Sequence, residues 1–119
     1  MSPKHLKLDP LSRTLAQLDA AGWMADVVER RERYATYDCF GCWDVLAFDA
    51  RGQVLMVQCT SKANIATRVT KCIADQHTKP LLQRGVWCEV WGWDETKPDP
   101  RRIALVWAGG EPTAKEGPT

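Results

Sequence analysis

Two nearly continuous apolar runs, Trp43-Asp44-Val45-Leu46-Ala47-Phe48 and Val54-Leu55-Met56-Val57-Gln58-Cys59, flank the turn-forming stretch Asp49-Ala50-Arg51-Gly52. This pattern predicts an antiparallel hairpin. Strands that are apolar on almost every residue need a sheet covered on both faces, which excludes a sheet with one wet side. In a chain of 119 residues that sheet belongs to a single domain with one modest core.

The flanking segments supply the cover. Asp9-Pro10 reads as a helix start, with the aspartate capping free amides and the proline at the first helical position. Leu11, Leu15 and Leu18 then mark a buried stripe before Gly22, so a helix is expected over residues 10–21. Trp23 to Glu29 reads as a strand, and Arg30-Arg31-Glu32-Arg33 as a charged connection beside it. Between Asn64 and Gln76 the period becomes helical, with Ile65, Val69, Cys72 and Ile73 on one stripe and Arg68, Lys71 and Asp75 off it. Pro80 limits that helix, and Leu81-Leu82 anchors the return connection. Val86 to Trp93 reads as a strand with Val86, Cys88, Val90 and Gly92 on one face and Trp87, Glu89, Trp91 and Trp93 on the other. Arg102 to Trp107 adds a last strand. The order is helix, three strands, helix, two strands, an α/β fold with a small mixed sheet flanked by helices. We expect residues 1–9 to form an N-terminal extension, 10–108 the domain, and 109–119, rich in glycine, proline and charge, a flexible tail.

A hydrophobic content of 45% with six tryptophans excludes a disordered chain. The apolar runs are all shorter than the roughly 18–20 residues that span a bilayer, so no membrane partner is expected. The amino end lacks a signal-peptide pattern, and a cytoplasmic location is the expectation. Five cysteines, at 39, 42, 59, 72 and 88, are an odd number in core-like segments and read as reduced thiols rather than a disulfide framework. Cys39-Phe40-Gly41-Cys42 has CxxC spacing. No second pair follows it and the histidines are His5 and His77 alone, so neither structural zinc nor a redox pair is expected. The net charge of +1 hides a local imbalance: Arg51, Lys62, Arg68, Lys71, Lys79 and Arg84 face the single acid Asp75 in their stretch. A basic face for a polyanion is one consequence, an ordinary solvated helix the other.

Hairpin register turns this pattern into candidate chemistry. With the turn centred on Arg51, Asp44 falls opposite Gln58, their β-carbons about 4.5–5.5 Å apart on one face. An acid, an amide oxygen and the backbone carbonyl of Cys59 would suit a hard cation such as Mg²⁺ or Mn²⁺. The same two side chains can instead satisfy local backbone groups. Glu29, ending the preceding strand, can reach this sheet edge to bind metal or hold a water, or can balance the arginines that follow it. Asp38 has a weaker claim at the hairpin entrance. Lys62 can place a cation beside a phosphate, and Arg68 and Lys71, three residues apart, can border one helical face. The tryptophans of Trp87 to Trp93 suit packing better than base stacking.

Gly41-Cys42-Trp43-Asp44-Val45-Leu46-Ala47-Phe48 and Leu55-Met56-Val57-Gln58-Cys59-Thr60, followed by the polar helix from Asn64 to Lys71, resemble the PD-(D/E)XK nuclease superfamily, in particular its small Holliday-junction-resolvase-like proteins. The resemblance covers Leu11 to Trp93. It implies a restriction-endonuclease-like αβββαβ core, magnesium or manganese, and DNA cleavage by a metal-activated water. Asp44 matches the first acid of the motif, Gln58 stands at its second acid, Thr60 stands where the lysine is usual, and Glu29 corresponds to an auxiliary acid. By this resemblance Asp44, Gln58, Glu29 and Lys62 are expected to be catalytic, Asp44, Gln58, Cys59 and Glu29 to hold the ion, and Lys62, Arg68 and Lys71 to contact DNA, with branched DNA spanned by a homodimer as one form of that substrate. A nucleic-acid-binding protein that has lost the chemistry, or a protein-interaction module built on the tryptophan-rich strand, fits the same residues.

Overall fold

The computed structural model describes residues 9–32, 35–37 and 39–117, with the backbone alone for 30–32 and 35–37. The expectations for His5, Arg33 and Asp38 lie outside the described residues. The protein is an α/β fold with a six-stranded mixed sheet. Helix α1 (Pro10–Ala20) starts as the capping signal requires, Asp9 Oδ1 accepting the Ser12 N–H at 2.7 Å. Strand β1 (Met24–Val27) follows, then a separate pair, β2 (Arg30–Glu32) and β3 (Ala35–Tyr37). The hairpin is β4 (Val45–Phe48) and β5 (Val54–Ser61); a 3₁₀ turn, Lys62–Asn64, leads into α2 (Ile65–Ala74) and α3 (Thr78–Gln83). Strands β6 (Trp87–Trp93), β7 (Arg101–Ala108) and β8 (Glu111–Glu116) complete the chain.

The sheet order is β1-β4-β5-β6-β7-β8, antiparallel except for the parallel pair β5–β6 that α2 and α3 connect. Side chains alternate across it. Leu55, Val57, Trp91 and Trp93 meet Leu11, Leu15 and Leu18 of α1 on one face, whereas Met56, Cys88 and Val90 meet Val69, Cys72 and Ile73 of α2 and Leu81 and Leu82 of α3 on the other. The two-sided cover expected from the apolar hairpin is therefore present at β5 but not at β4, where Leu46 and Phe48 are exposed on the face away from α1 because α2 and α3 pack over β5 and β6. Buried polar groups on the α1 face are tied off: Arg13 donates to the Asp94 and Lys97 carbonyls and lies over the Trp93 ring, and Trp93 Nε1 donates to Thr14 Oγ1 at 2.9 Å. Glu89 accepts from both Trp91 Nε1 and Arg102. No helix among the described residues is long and apolar enough to cross a membrane.

Four expectations need correcting. Arg30–Glu32 is a strand, not a connection, since pairing with Ala35–Tyr37 satisfies its backbone without an apolar pattern. Pro80 does not end α2; it lies in the first turn of α3, where its missing N–H costs little. The segment expected to be a flexible tail pairs with β7 from Glu111 to Glu116. Finally, Cys42 and Cys72 form a disulfide, whereas Cys39, Cys59 and Cys88 form none.

The seat of α2 depends on Gly92. A β-carbon there would lie 2.1 Å from Ile65 Cδ1 and 3.2 Å from Lys62 Cα. Gly92→Ala should lower the unfolding free energy by about 1–3 kcal/mol in chemical denaturation, as overpacking does. Trimming Ile65 to valine in the same chain should recover part of the loss, and an unchanged midpoint would mean that the close approach is absent.

Candidate functional site

The ladder of β4 and β5 runs from Phe48↔Val54 to Val45↔Val57, the register that a turn centred on Arg51 requires. Asp44 lies one residue past its end. The Asp44 N–H donates to the Val57 carbonyl at 2.9 Å, so Asp44 and Val45 both address Val57, as in a β-bulge. Asp44 is thus not the ladder partner of Gln58. Its carbonyl accepts the Val28 N–H at 2.8 Å, which fastens β1, and its carboxylate Oδ2 accepts the Cys59 N–H at 2.8 Å. The side chain is held against the β5 backbone next to Gln58, 7% exposed.

Gln58 is buried and its amide works at both ends. Nε2 donates to the Cys42 carbonyl, and Oε1 accepts from Arg68 Nη1 of α2 at 2.9 Å. Arg68 lies off the apolar stripe of α2, and this position lets it reach across to the sheet. Glu29, Asp44, Gln58, Cys59 and Arg68 line one hollow of about 380 Å³, closed on another side by Asp9, Pro10 and Leu11 at the start of α1. The contribution of α1 was not legible in the sequence: the capping signal says where a helix begins, not what its beginning faces.

Two of the singled-out cations lie elsewhere. Lys62 comes four residues after Gln58, a separation of about 13 Å along an extended strand. Its ammonium is 3.9 Å from Asp94 Oδ2, beside a different hollow of about 460 Å³ that Arg101 and Glu116 also line. Hydrogen bonds from Thr96, with a smaller contribution from Lys62, hold the Asp94 carboxyl below its usual range. Lys71 is exposed on α2 and does not line the Asp44 hollow. Thr60, where the resemblance would have a lysine, is buried. Burial raises the thiol pKa of Cys39, and burial followed by the Glu89 charge pushes that of Cys88 up to about 12. Among the tryptophans, Trp43, Trp91 and Trp93 are core, while Trp87 and Trp107 are exposed.

Among the described residues, three carboxylates, from Asp9, Glu29 and Asp44, and one guanidinium, from Arg68, line the Asp44 hollow, so the described lining is acidic. Such a hollow attracts a cation before it admits a phosphate. Its donors are hard oxygens, two carboxylates with the Gln58 amide and the Cys59 carbonyl, which match Mg²⁺ or Mn²⁺ in kind. Among the described residues no three His, Cys, Asp or Glu side chains are grouped to hold an ion, so the neutral oxygens are essential to such a set. Compared with protein-family models, with curated proteins and with solved structures, the chain matches none.

Proposed function

We propose that this protein hydrolyses DNA phosphodiesters with a divalent ion, on a restriction-endonuclease-like core. The carrying observation is convergence: Glu29 just after β1, Asp44 just before β4, Gln58 and Cys59 of β5 and Arg68 of α2 line one acidic hollow. The element order supports the same reading, since α1, the antiparallel strands β1, β4 and β5, then α2 and the parallel β6 follow the αβββαβ pattern.

Asp44 and Glu29 would hold Mg²⁺ or Mn²⁺ with the oxygens of Gln58 and Cys59. A bound ion would supply Lewis acidity and a more acidic water. Arg68 supplies the positive charge that the Thr60 position lacks, close enough to contact a phosphate oxygen drawn into the hollow. Lys71, one turn further along α2, extends the contact to flanking phosphate, while Lys62 serves DNA outside the hollow. A homodimer would present two such hollows to a branched substrate.

A second reading is DNA binding without hydrolysis. It is favoured by Gln58, whose amide is committed to Cys42 and Arg68, and by the distance of Lys62. One experiment separates the two: incubation of the protein with duplex, single-stranded, flap and four-way-junction DNA in Mg²⁺, Mn²⁺, Ca²⁺ or EDTA, alongside Arg68→Gln. The nuclease reading expects cuts in Mg²⁺ or Mn²⁺ only, and binding in Ca²⁺ that EDTA weakens, because the acidic hollow repels DNA without an ion. Arg68→Gln should bind more weakly, with its salt dependence reduced by about one phosphate contact. Binding equal in Ca²⁺ and EDTA, with no cuts on any substrate, would favour the second reading. No binding to any DNA would sink both.

A further inference from the structure

A closed circuit of bonds fastens α2 to the hairpin. The Cys42–Cys72 disulfide joins the residue two before Asp44 to the helix. The Cys42 carbonyl accepts from Gln58, and Gln58 accepts from Arg68. Arg68 and Cys72 are four residues apart on α2, hence neighbours on one helical face. The disulfide and the Arg68–Gln58 hydrogen bond are therefore two fastenings between one helical turn and one strand end.

Cys42 and Cys72 are both fully buried, out of direct reach of an external thiol. Cys39 is half-buried and packs against the same cluster. The turn between them folds back on itself: Cys39 N–H donates to the Trp43 carbonyl at 2.8 Å, and the N–H groups of Trp43 and Cys42 donate to the Cys39 carbonyl at 3.0 and 3.2 Å. The turn thus brings Cys39 close to Cys42 along the chain, with Cys39 packed against the cluster that contains the disulfide.

We propose that the Cys42–Cys72 disulfide is an exchangeable clamp on the Asp44 hollow, opened by attack of Cys39. The Cys39 thiolate forms a bond to Cys42 Sγ; the Cys42–Cys72 bond breaks, and its electron pair leaves on Cys72 Sγ, which takes up a proton in place of the one Cys39 released. This exchange is redox-neutral. A dithiol reductant then gives two electrons and two protons to the more accessible Cys39–Cys42 bond, becoming a disulfide itself and leaving the clamp open. Burial raises the Cys39 pKa, which slows the attack, while proximity to Cys42 offsets that cost and a reductant draws the exchange forward. Opening removes the covalent fastening and leaves the Arg68–Gln58 hydrogen bond and the packing of Val69 and Ile73 to hold this part of α2.

The consequence for DNA rests on the function proposed above; the exchange itself does not. The full chain, oxidised in air, is mapped by non-reducing peptide mass spectrometry. Hydrogen exchange in residues 65–74 and DNA affinity are then followed during treatment with limiting dithiothreitol. A linked Cys42–Cys72 peptide is expected, with faster exchange in α2 and weaker DNA binding as it is reduced. In Cys39→Ser the link should persist but be reduced about tenfold more slowly, the loss of an intramolecular attacker. Thiols at 42 and 72 in the oxidised protein, or equal reduction rates with and without Cys39, would overturn the clamp. Faster α2 exchange with unchanged DNA affinity would support the clamp and count against the DNA reading.

Discussion

Asp44→Asn should remove cleavage while leaving the fold in place. The carboxylate is the most enclosed of the described anionic oxygen donors in the hollow, and its replacement removes one of the three described negative charges. Losing the ionic ligand of a hard cation is expected to lower the rate by about 10³-fold or more, roughly 4 kcal/mol of transition-state stabilisation. The asparagine oxygen can still accept the Cys59 N–H that Oδ2 accepts now. At that bond the cost in stability is about 1 kcal/mol, the difference between a charged and a neutral acceptor. Single-turnover cleavage and a thermal melt of the same preparation read the two effects separately. Glu29→Gln should lower the rate less, because Glu29 is more exposed than Asp44. Undiminished cleavage by Asp44→Asn would remove the ion from this hollow, and a large fall in melting temperature would reassign Asp44 to the framework between Val28, Val57 and Cys59.

How the site differs from its sequence expectation follows from which contacts are local. The hairpin was legible because its turn and its apolar runs are contiguous, and the register through Val45↔Val57 came with them. The last step failed at one residue, since nothing in Trp43-Asp44-Val45 announces a bulge. Distances along the chain also mislead differently in strands and helices. Lys62 is near Gln58 in sequence but far along an extended strand; Arg68, ten residues on, returns because α2 folds back over β5. The glutamine at the second acidic position has a physical reason that alignment by motif does not supply. A glutamate at 58 would have no N–H for the Cys42 carbonyl and would set a carboxylate against it in the core. Edge structure was the least legible part. Strand β8 carries Pro112 and mostly exposed polar residues, which are tolerated because an edge strand needs only one partner. The buried Arg13 likewise reads as a surface residue until the carbonyls of Asp94 and Lys97 are brought to it.

Removing the Cys42–Cys72 disulfide should have a large effect on stability. It closes a loop between residues separated by 30 positions, and a cross-link over that length is expected to stabilise the fold by about 3.6 kcal/mol through the unfolded chain. For a domain of 119 residues the corresponding fall in melting temperature is about 14 °C. Cys72→Ser tests more than the cross-link, because it also leaves a hydroxyl in a site with 0% exposure. Cys72→Ala avoids that polar group and isolates the cross-link, so it should match the reduced wild-type protein within about 1 kcal/mol. The loss should not be uniform. Helix α2 keeps Ile65 under Gly92 and Val69 and Ile73 on the sheet, so its N-terminal turn remains seated while the turn around Cys72 loosens. Thr78 Oγ1 donates to the Cys72 carbonyl, so the start of α3 should loosen with it. Hydrogen exchange that rises first at residues 70–78 in the reduced protein would bear this out. Equal melting temperatures for oxidised, reduced and Cys72→Ala protein would mean that packing alone holds α2, and Arg68 with it, against the hollow.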